Sequence, residues 1–291
     1  MQLRVGIDIG GTKFFGVAID ESGQLIARRR AATPIESNDV VNQIAEFIED
    51  FSKHGTVQSV GLGMPGAVDL AGVLRSAPNL PCMIDVPTIE LLSKRYPNIS
   101  FQADNDATCA LRAELAVGAA HGAKSVMLVT LGTGIGGAIA ANGNVVAGAH
   151  GYGGEPGHMV INPDGPLCVC GRHGCWERYA SGAGLSRLIA EASLDCTNEE
   201  LVQRASDGDD AALAIFSNFA QWVGLGLGNL INIFDPELIV VGGGLSEASE
   251  FFLAAATETA LAHTVGPRTV TKVVVAQLGS ESGAIGAAWL H

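Results

Sequence analysis

Residues 3–32 and 125–148 follow one plan, and this repetition constrains the fold more than any other feature of the chain. In the first stretch an apolar run, LRVGIDI (3–9), gives way to Gly10-Gly11-Thr12-Lys13. It resumes as FFGVAID (14–20), turns at ESG (21–23) and ends in QLIARRRAA (24–32). In the second, SVMLVTL (125–131) precedes Gly132-Thr133-Gly134, followed by IGGAIAA (135–141), an Asn-Gly turn (142–143) and NVVAG (144–148). Each copy reads as strand, glycine loop, strand, tight turn, strand. Short apolar runs bounded by glycine are strand signals, and Asn-Gly is a two-residue hairpin turn. The repetition predicts a duplicated domain. The copies are too few and too far apart for a solenoid.

Helical periodicity fills the intervals. Val40, Ile44, Phe47, Ile48 and Phe51 share one face of 38–53, as an amphipathic helix requires. Residues 106–120 open at Asn105-Asp106, an N-cap signature. Residues 183–193, 198–206, 210–232, 246–263 and 282–290 also read as helices. Alternating strands and helices predict an α/β fold of mixed sheets flanked by helices. The boundary is expected near residue 108, with one α/β domain over 1–108 and a second over 109–291. The last helix, within 282–291, is free to pack back onto the first domain.

Composition narrows the function classes. Thirty acidic against 17 basic side chains give a net charge of −13, which does not suit DNA or an anionic membrane surface. A chain that is 47% hydrophobic and 16% charged is not disordered. Its 38 glycines follow no collagen period and so serve turns and close backbone approaches. No apolar run reaches the roughly 18 residues of a membrane span without Gly or polar breaks. The chain enters its first strand directly, so a cytoplasmic protein is expected.

The glycine loops suggest phosphate cradles. In Gly10-Gly11-Thr12-Lys13 the glycines let backbone N–H groups approach an anion, Thr12 adds a hydroxyl and Lys13 a charge. Gly132, Thr133, Gly134, Gly136 and Gly137 repeat the Gly-Thr pairing. Neither loop is a P-loop, because a strand and not a helix follows. Alone, either is compatible with an ordinary tight turn; the pair suits a nucleoside triphosphate clamped between the halves. Asp8 lies between Ile7 and Ile9, where a carboxylate is costly unless paired. It either hydrogen-bonds to the loop or organises Mg²⁺ near the phosphates. Gly242-Gly243-Gly244 follows the strand LIVV (238–241). Ligands gather at such strand ends, so this segment either accepts an adenine or simply turns the chain.

Three of the six cysteines, Cys168, Cys170 and Cys175, fall within eight residues. In a reducing compartment such a cluster reads as a metal site. Three thiolates with one more ligand hold Zn²⁺ tetrahedrally, and a fully protein-ligated zinc is structural. His158 and His173 compete for the fourth position, and spacing does not choose. Glu155 and Glu177 flank the knot, so closing it would bring two carboxylates together, an arrangement suited to sugar hydroxyls. Asp106 sits where strand 99–103 gives way to a helix. It suits either an N-cap or a general base accepting a hydroxyl proton in phosphoryl transfer; the two phosphate loops favour the base.

In order along the chain stand DIGGTK (8–13), NDA (105–107), LGTGIGG (131–137), EPGH (155–158) and CxCGxxGCxE (168–177). Together they resemble the ROK family (repressor, open reading frame, kinase) over nearly the whole chain, and WERYASG (176–182) resembles its glucokinases. The resemblance implies an actin-like, RNase H-like two-domain fold with the active site in the cleft. It implies ATP-dependent phosphorylation of a hexose 6-hydroxyl, with glucose favoured, and a homodimer. Asp106 would be the base. Asn105, Glu155, His158 and Glu177 would bind the sugar, with Asn79 on a substrate-side loop near Gly66. His158 would join Cys168, Cys170 and Cys175 on zinc, holding the sugar-binding segments in register. The chain departs from the family's glucokinases at Cys82-Met83, where Gly-Trp is frequent. N-acetylmannosamine, N-acetylglucosamine and fructose are the alternative sugars, polyphosphate the alternative donor. A non-catalytic sugar sensor is the alternative class. Family repressors carry a helix-turn-helix ahead of the kinase-like part, and none is visible here.

Overall fold

The computed structural model describes residues 1–266 and 271–291. The chain first forms an antiparallel meander of β1 (Gln2–Ile9), β2 (Lys13–Ile19) and β3 (Leu25–Ala32), then α1 (Ser37–Phe51) and β4 (Thr56–Met64). A hairpin of β5 (Ala67–Val68) and β6 (Leu74–Ser76), a 3-10 turn at Pro81–Met83 and α2 (Thr88–Arg95) lead to β7 (Ser100–Asn105) and α3 (Asp106–Val117). The second meander is β8 (Val126–Leu131), β9 (Ile135–Ala141) and β10 (Asn144–Val145). After an irregular segment come α4 (Glu177–Ala180), α5 (Gly182–Glu191), α6 (Asn198–Ser206) and α7 (Asp210–Phe234). The chain ends in β11 (Leu238–Gly242), α8 (Leu253–Ala262), β12 (Lys272–Val275) and α9 (Ser282–Ala287).

The expected duplication appears as topology. One five-stranded sheet has the order β3-β2-β1-β4-β7 and the other β10-β9-β8-β11-β12. In both, the meander is antiparallel and two parallel strands extend its first strand on the other side. Parallel strands covered on both faces need apolar side chains throughout. Accordingly, Ile239, Val240 and Val241 of β11 are all fully buried.

Each sheet has its own core. Val40, Ile44, Phe47 and Phe51 of α1 pack with Leu3, Val5, Ile7 and Phe14. Phe216, Phe219 and Leu227 of α7 pack with Val129, Ile239 and Trp176. By length and hydropathy α7 would qualify as a membrane span. Its apolar face is instead buried against the second sheet and α8. Cys82 and Met83 join the first core, where Met83 is fully buried.

The last helix packs back on the first sheet. Ala284 and Ala288 meet Phe15, Val17 and Ile19. Gly6 and Gly61 are register partners on β1 and β4. A Cβ on either would collide with a carbonyl of α9, at Ala284 and Ala287 respectively. Only glycine lets the helix backbone lie this close. α9 also packs on α3. The expected boundary near 108 therefore falls inside a helix that touches both halves: Ala107, Ala110 and Leu111 of α3 pack with Leu128 and Ala138 of the second sheet.

Three helix expectations are corrected. The span 246–263 is a run of 3-10 turns over Gly244–Phe251 followed by α8, because the chain turns to bury Phe252 edge-on against Phe219 at 5.2 Å. The span 282–290 is helical only to Ala287. The span 106–120 stops at Val117, with Gly118 as its C-cap. Beyond that cap the fully buried Glu114 carboxylate accepts from Ala119 N at 2.7 Å, Gln277 N at 3.0 Å and Leu278 N at 3.0 Å. It ties α3 to the segment entering α9. Glu114→Ala orphans three N–H donors, at about 1–3 kcal/mol each where water cannot replace the carboxylate. Urea unfolding should show a loss of at least about 3 kcal/mol; a loss below about 1 kcal/mol would mean that water substitutes for the carboxylate.

Candidate active site

Asp106 is placed by the junction of β7 with α3. The side chain of Asn105, not of Asp106, caps the helix: its Oδ1 accepts from Thr108 N at 3.1 Å. Its Nδ2 donates to Gly66 O at 2.9 Å, which fixes the loop after β4. The Asp106 carboxylate accepts from Ala107 N at 2.8 Å. Burial pushes its pKa above the usual carboxylate range, against the pull of that N–H.

Two cavities meet at this carboxylate, and a third adjoins the first across the Gly132-Thr133 loop. The first, about 460 Å³, gathers every residue expected to bind the sugar: Gly66, Asn79, Asn105, Asp106, Glu155, His158 and Glu177. Gly132, Thr133, Gly134, Gly136 and Gly137 form its opposite wall. Glu177 lies over this loop so closely that a Cβ at Gly134 would meet its Oε2 at 2.6 Å. Glu155 keeps an exposed edge; desolvation raises its pKa, with His158 pulling it down. Cys82 and Met83 do not line this cavity.

The second cavity, about 280 Å³, shares Asp106 and Thr130 with the first. Asp8, Gly10 and Lys13 line it, together with Gly243 and the turn at 279–283. The Asp8 side chain takes no hydrogen bond among the described residues, so the loop-bonded alternative does not hold. Burial, then the nearby Asp106, push its carboxyl from 3.8 up to about 7, against the pull of Lys13. Without metal, the folded state keeps a proton that the unfolded chain has released. That contribution to stability is complete below about 4 and is lost as pH rises through about 7. Asp8→Asn cannot ionise. It should raise the melting temperature at pH 8 without added Mg²⁺ and leave it nearly unchanged at pH 4. Equal melting temperatures at pH 8 would show that Asp8 is not strained.

The third cavity, about 900 Å³, shares Gly132 and Thr133 with the first. Gly244, Leu245 and Glu247 line one side; Gly182, Ser186 and Asn198 line the other. Asn198 joins α6 to α5 by donating to Gly182 O and accepting from Ser186 Oγ, each at 3.0 Å. Three expected phosphate or adenine residues lie elsewhere. Gly242 is buried within β11, and Gly11 and Thr12 stand exposed at the loop tip, lining none of these cavities. Sequence reasoning missed Ser186, Asn198, Leu245 and Glu247. The one local signal is the Thr197/Glu200 capping box, which marks a helix start beside the cavity.

The cysteine knot closes one end of the first cavity. One donor atom each from His158, Cys168, Cys170 and Cys175 lies within 4.8 Å of the others. Cys170 Sγ and Cys175 Sγ are 3.5 Å apart, and Cys168 Sγ is 3.6 Å from His158 Nδ1. His173 turns away, its Nδ1 2.9 Å from Gly165 O. Burial works against the Cys170 thiolate, but hydrogen bonds from Arg172 draw its pKa down to about 6. Glu177 bridges knot and cavity: its Oε1 accepts from Cys168 Sγ at 2.8 Å and lies 3.8 Å from His158 Nδ1.

Two sheets of one topology, each sending a glycine loop toward an acidic floor, define a phosphotransferase of the actin-like class. The family model described as ROK family matches residues 4–291, and the chain belongs to that family. It is similar to a glucokinase of Thermotoga maritima, with 33% identity over 98% of this chain and 95% of the relative. An N-acetyl-D-glucosamine kinase of Shigella boydii is 33% identical over 98% of each chain. Among solved structures, a ROK family glucokinase from Streptomyces griseus in complex with glucose and AMPPNP superposes with a TM-score of 0.85. It is 33% identical over 99% of this chain and 98% of that one.

Proposed function

We propose that the protein transfers the γ-phosphoryl group of ATP to the 6-hydroxyl of a hexose, with glucose as the preferred sugar. One observation carries this reading. A sugar-sized cavity holding Asp106, two further carboxylates and two amides opens, across a single glycine loop, onto a nucleotide-sized cavity. The glucokinase relatives support glucose, and the glucose and AMPPNP complex of the Streptomyces griseus protein supports ATP as donor.

In this reading Asn79, Asn105, Glu155, His158 and Glu177 hold the sugar hydroxyls, with Gly66 lending its backbone. The 6-hydroxyl then faces Asp106. Its proton passes to the Asp106 carboxylate as the hydroxyl oxygen bonds to the γ-phosphorus and the bridging oxygen leaves with ADP. Gly10, Gly132, Thr133 and Gly134 cradle the phosphates, while Gly11 and Thr12 stay at the exposed loop tip. Lys13 offsets their charge, and Gly243 and Gly244 adjoin the adenosine. Asp8 lines the same cavity as Asp106, and its carboxylate fits Mg²⁺ or the waters around it. Bound with the nucleotide, Mg²⁺ neutralises phosphate charge. The lobes, 1–108 with the last helix and 109–291, share α3 as their common element.

The knot fits structural zinc. A tetrahedral site with Zn–S near 2.3 Å puts sulfurs about 3.8 Å apart, and Cys170 and Cys175 stand at 3.5 Å. With Nδ1 of His158 on the metal, its Nε2 is left for the sugar. By the same resemblance the protein acts in glycolysis as a cytoplasmic homodimer.

Initial rates with Mg-ATP and with Mg-polyphosphate against glucose, mannose, fructose, N-acetylglucosamine and N-acetylmannosamine test the reading. ATP with glucose should give the highest kcat/KM. A higher value on N-acetylglucosamine would keep the chemistry and replace the sugar. No turnover by folded, zinc-loaded protein would leave a sugar sensor.

A further inference from the structure

Three consecutive arginines, Arg28, Arg29 and Arg30, lie on β3. Strand geometry sends alternate side chains to opposite faces. Arg29 points to the α1 face, pairing with Glu46 at 3.1 Å and lying over the Phe47 ring. Arg28 and Arg30 share the face covered by α9. Arg28 is committed to Glu281 at 2.9 Å, which ties β3 to the turn walling the second cavity. Arg30 alone of the three makes no ion pair within 4 Å among the described residues, and it lines that cavity.

Its place follows from sheet register. Asp8 pairs with Phe15, and Phe15 with Arg30. Carboxylate, ring and guanidinium thus stand in one row across three strands. The guanidinium rests on the Phe15 ring, 4.8 Å from its centroid. The ring limits the conformations of an otherwise exposed side chain, and a stacked guanidinium keeps its edge donors free. The cavity therefore carries both kinds of group. Asp8 and Asp106 line it as carboxyl groups, Lys13 and Arg30 as cations.

We propose that Arg30 binds the terminal phosphate of the donor, presenting its fork of donors to the oxygens turned away from the two carboxylates. This rests on the kinase reading above and adds a donor-binding residue that no glycine-loop motif contains. The guanidinium suits a doubly hydrogen-bonded phosphate contact, which a glutamine cannot make.

The test compares wild type, Arg30→Gln, Arg30→Lys and, as a charge-matched control, Arg29→Gln. Inorganic tripolyphosphate serves as a competitive probe of the phosphate subsite and adenosine as a probe of the base subsite. Arg30→Gln should raise both the KM for ATP and the inhibition constant of tripolyphosphate by about 10-fold or more. Adenosine inhibition and the KM for sugar should stay within about 2-fold. Arg30→Lys should recover part of the loss, and Arg29→Gln should match wild type. Unchanged tripolyphosphate inhibition in Arg30→Gln overturns the proposal, and so does an equal loss of adenosine inhibition. If wild type turns over no sugar with ATP, the kinase reading fails by itself. Calorimetric binding of tripolyphosphate, weakened or not by Arg30→Gln, then decides the role of Arg30 alone.

Discussion

Asp106→Asn should lower kcat by about 10³-fold while the protein stays folded and still binds sugar, because general-base catalysis is worth roughly 10²–10⁴. The substitution is nearly isosteric and leaves the helix start intact. The capping oxygen belongs to Asn105, and an amide oxygen at 106 can still accept from Ala107 N. Removing a half-buried, desolvated carboxylate relieves strain, so the melting temperature should hold or rise. The raised pKa sets the sign of the pH dependence. The base works only as the carboxylate, so wild-type kcat should fall as pH drops into the raised range and recover above it. Calorimetry with glucose, thermal melts and kcat on one preparation separate these effects. An Asn variant as fast as wild type would remove Asp106 from the role of base.

Loss of the knot should damage sugar binding before it damages the fold. Cys175 is fully buried beside Trp176, whose indole Nε1 donates to Trp222 O at 2.8 Å. The knot thereby connects α7 to the strip carrying His158 and Glu177. Cys175→Ser, or zinc removal by a strong chelator, frees both sugar-facing side chains. Groups that orient metal ligands and their neighbours are commonly worth about 10–100-fold, and the KM for glucose is expected to rise by that order. The KM for ATP should change less, because the donor-side cavities take no residue from the knot. Elemental analysis should find about one zinc per chain. Folded, active protein that contains no zinc would refute the metal reading.

Much of the fold was legible in residue order. The two meanders, their glycine loops and α1 rest on short-range periodicity, and all of them appear. The long α7 was read to within two residues. Errors fell where a distant partner decides. The 246–263 span looked helical throughout, yet Phe252 is drawn into the core by Phe219. Strands β4 and β12 and helix α2 went unread. They are recognised by what they pair with: β4 lies between β1 and β7, and β12 completes the edge beside β11.

The site divides in the same way. Glycine loops, a cysteine cluster and an Asn-Asp step before a helix are fixed-offset patterns, so one short window displays the chemistry. The sequence by itself therefore marked the residues that gather in the first cavity and the cysteines that cluster beside it. Only the tertiary structure turned His173 toward Gly165 and left His158 in the knot. It also assembled the largest of the three cavities from α5, α6 and the segment after β11. Of three identical arginines, it left one without an ion pair among the described residues, against the cavity lined by Asp8 and Lys13. The physical reason is common to these cases. Local patterns report which donors and charges a segment carries. Whether each is spent on a neighbour or left for a ligand depends on what long-range packing brings within about 4 Å.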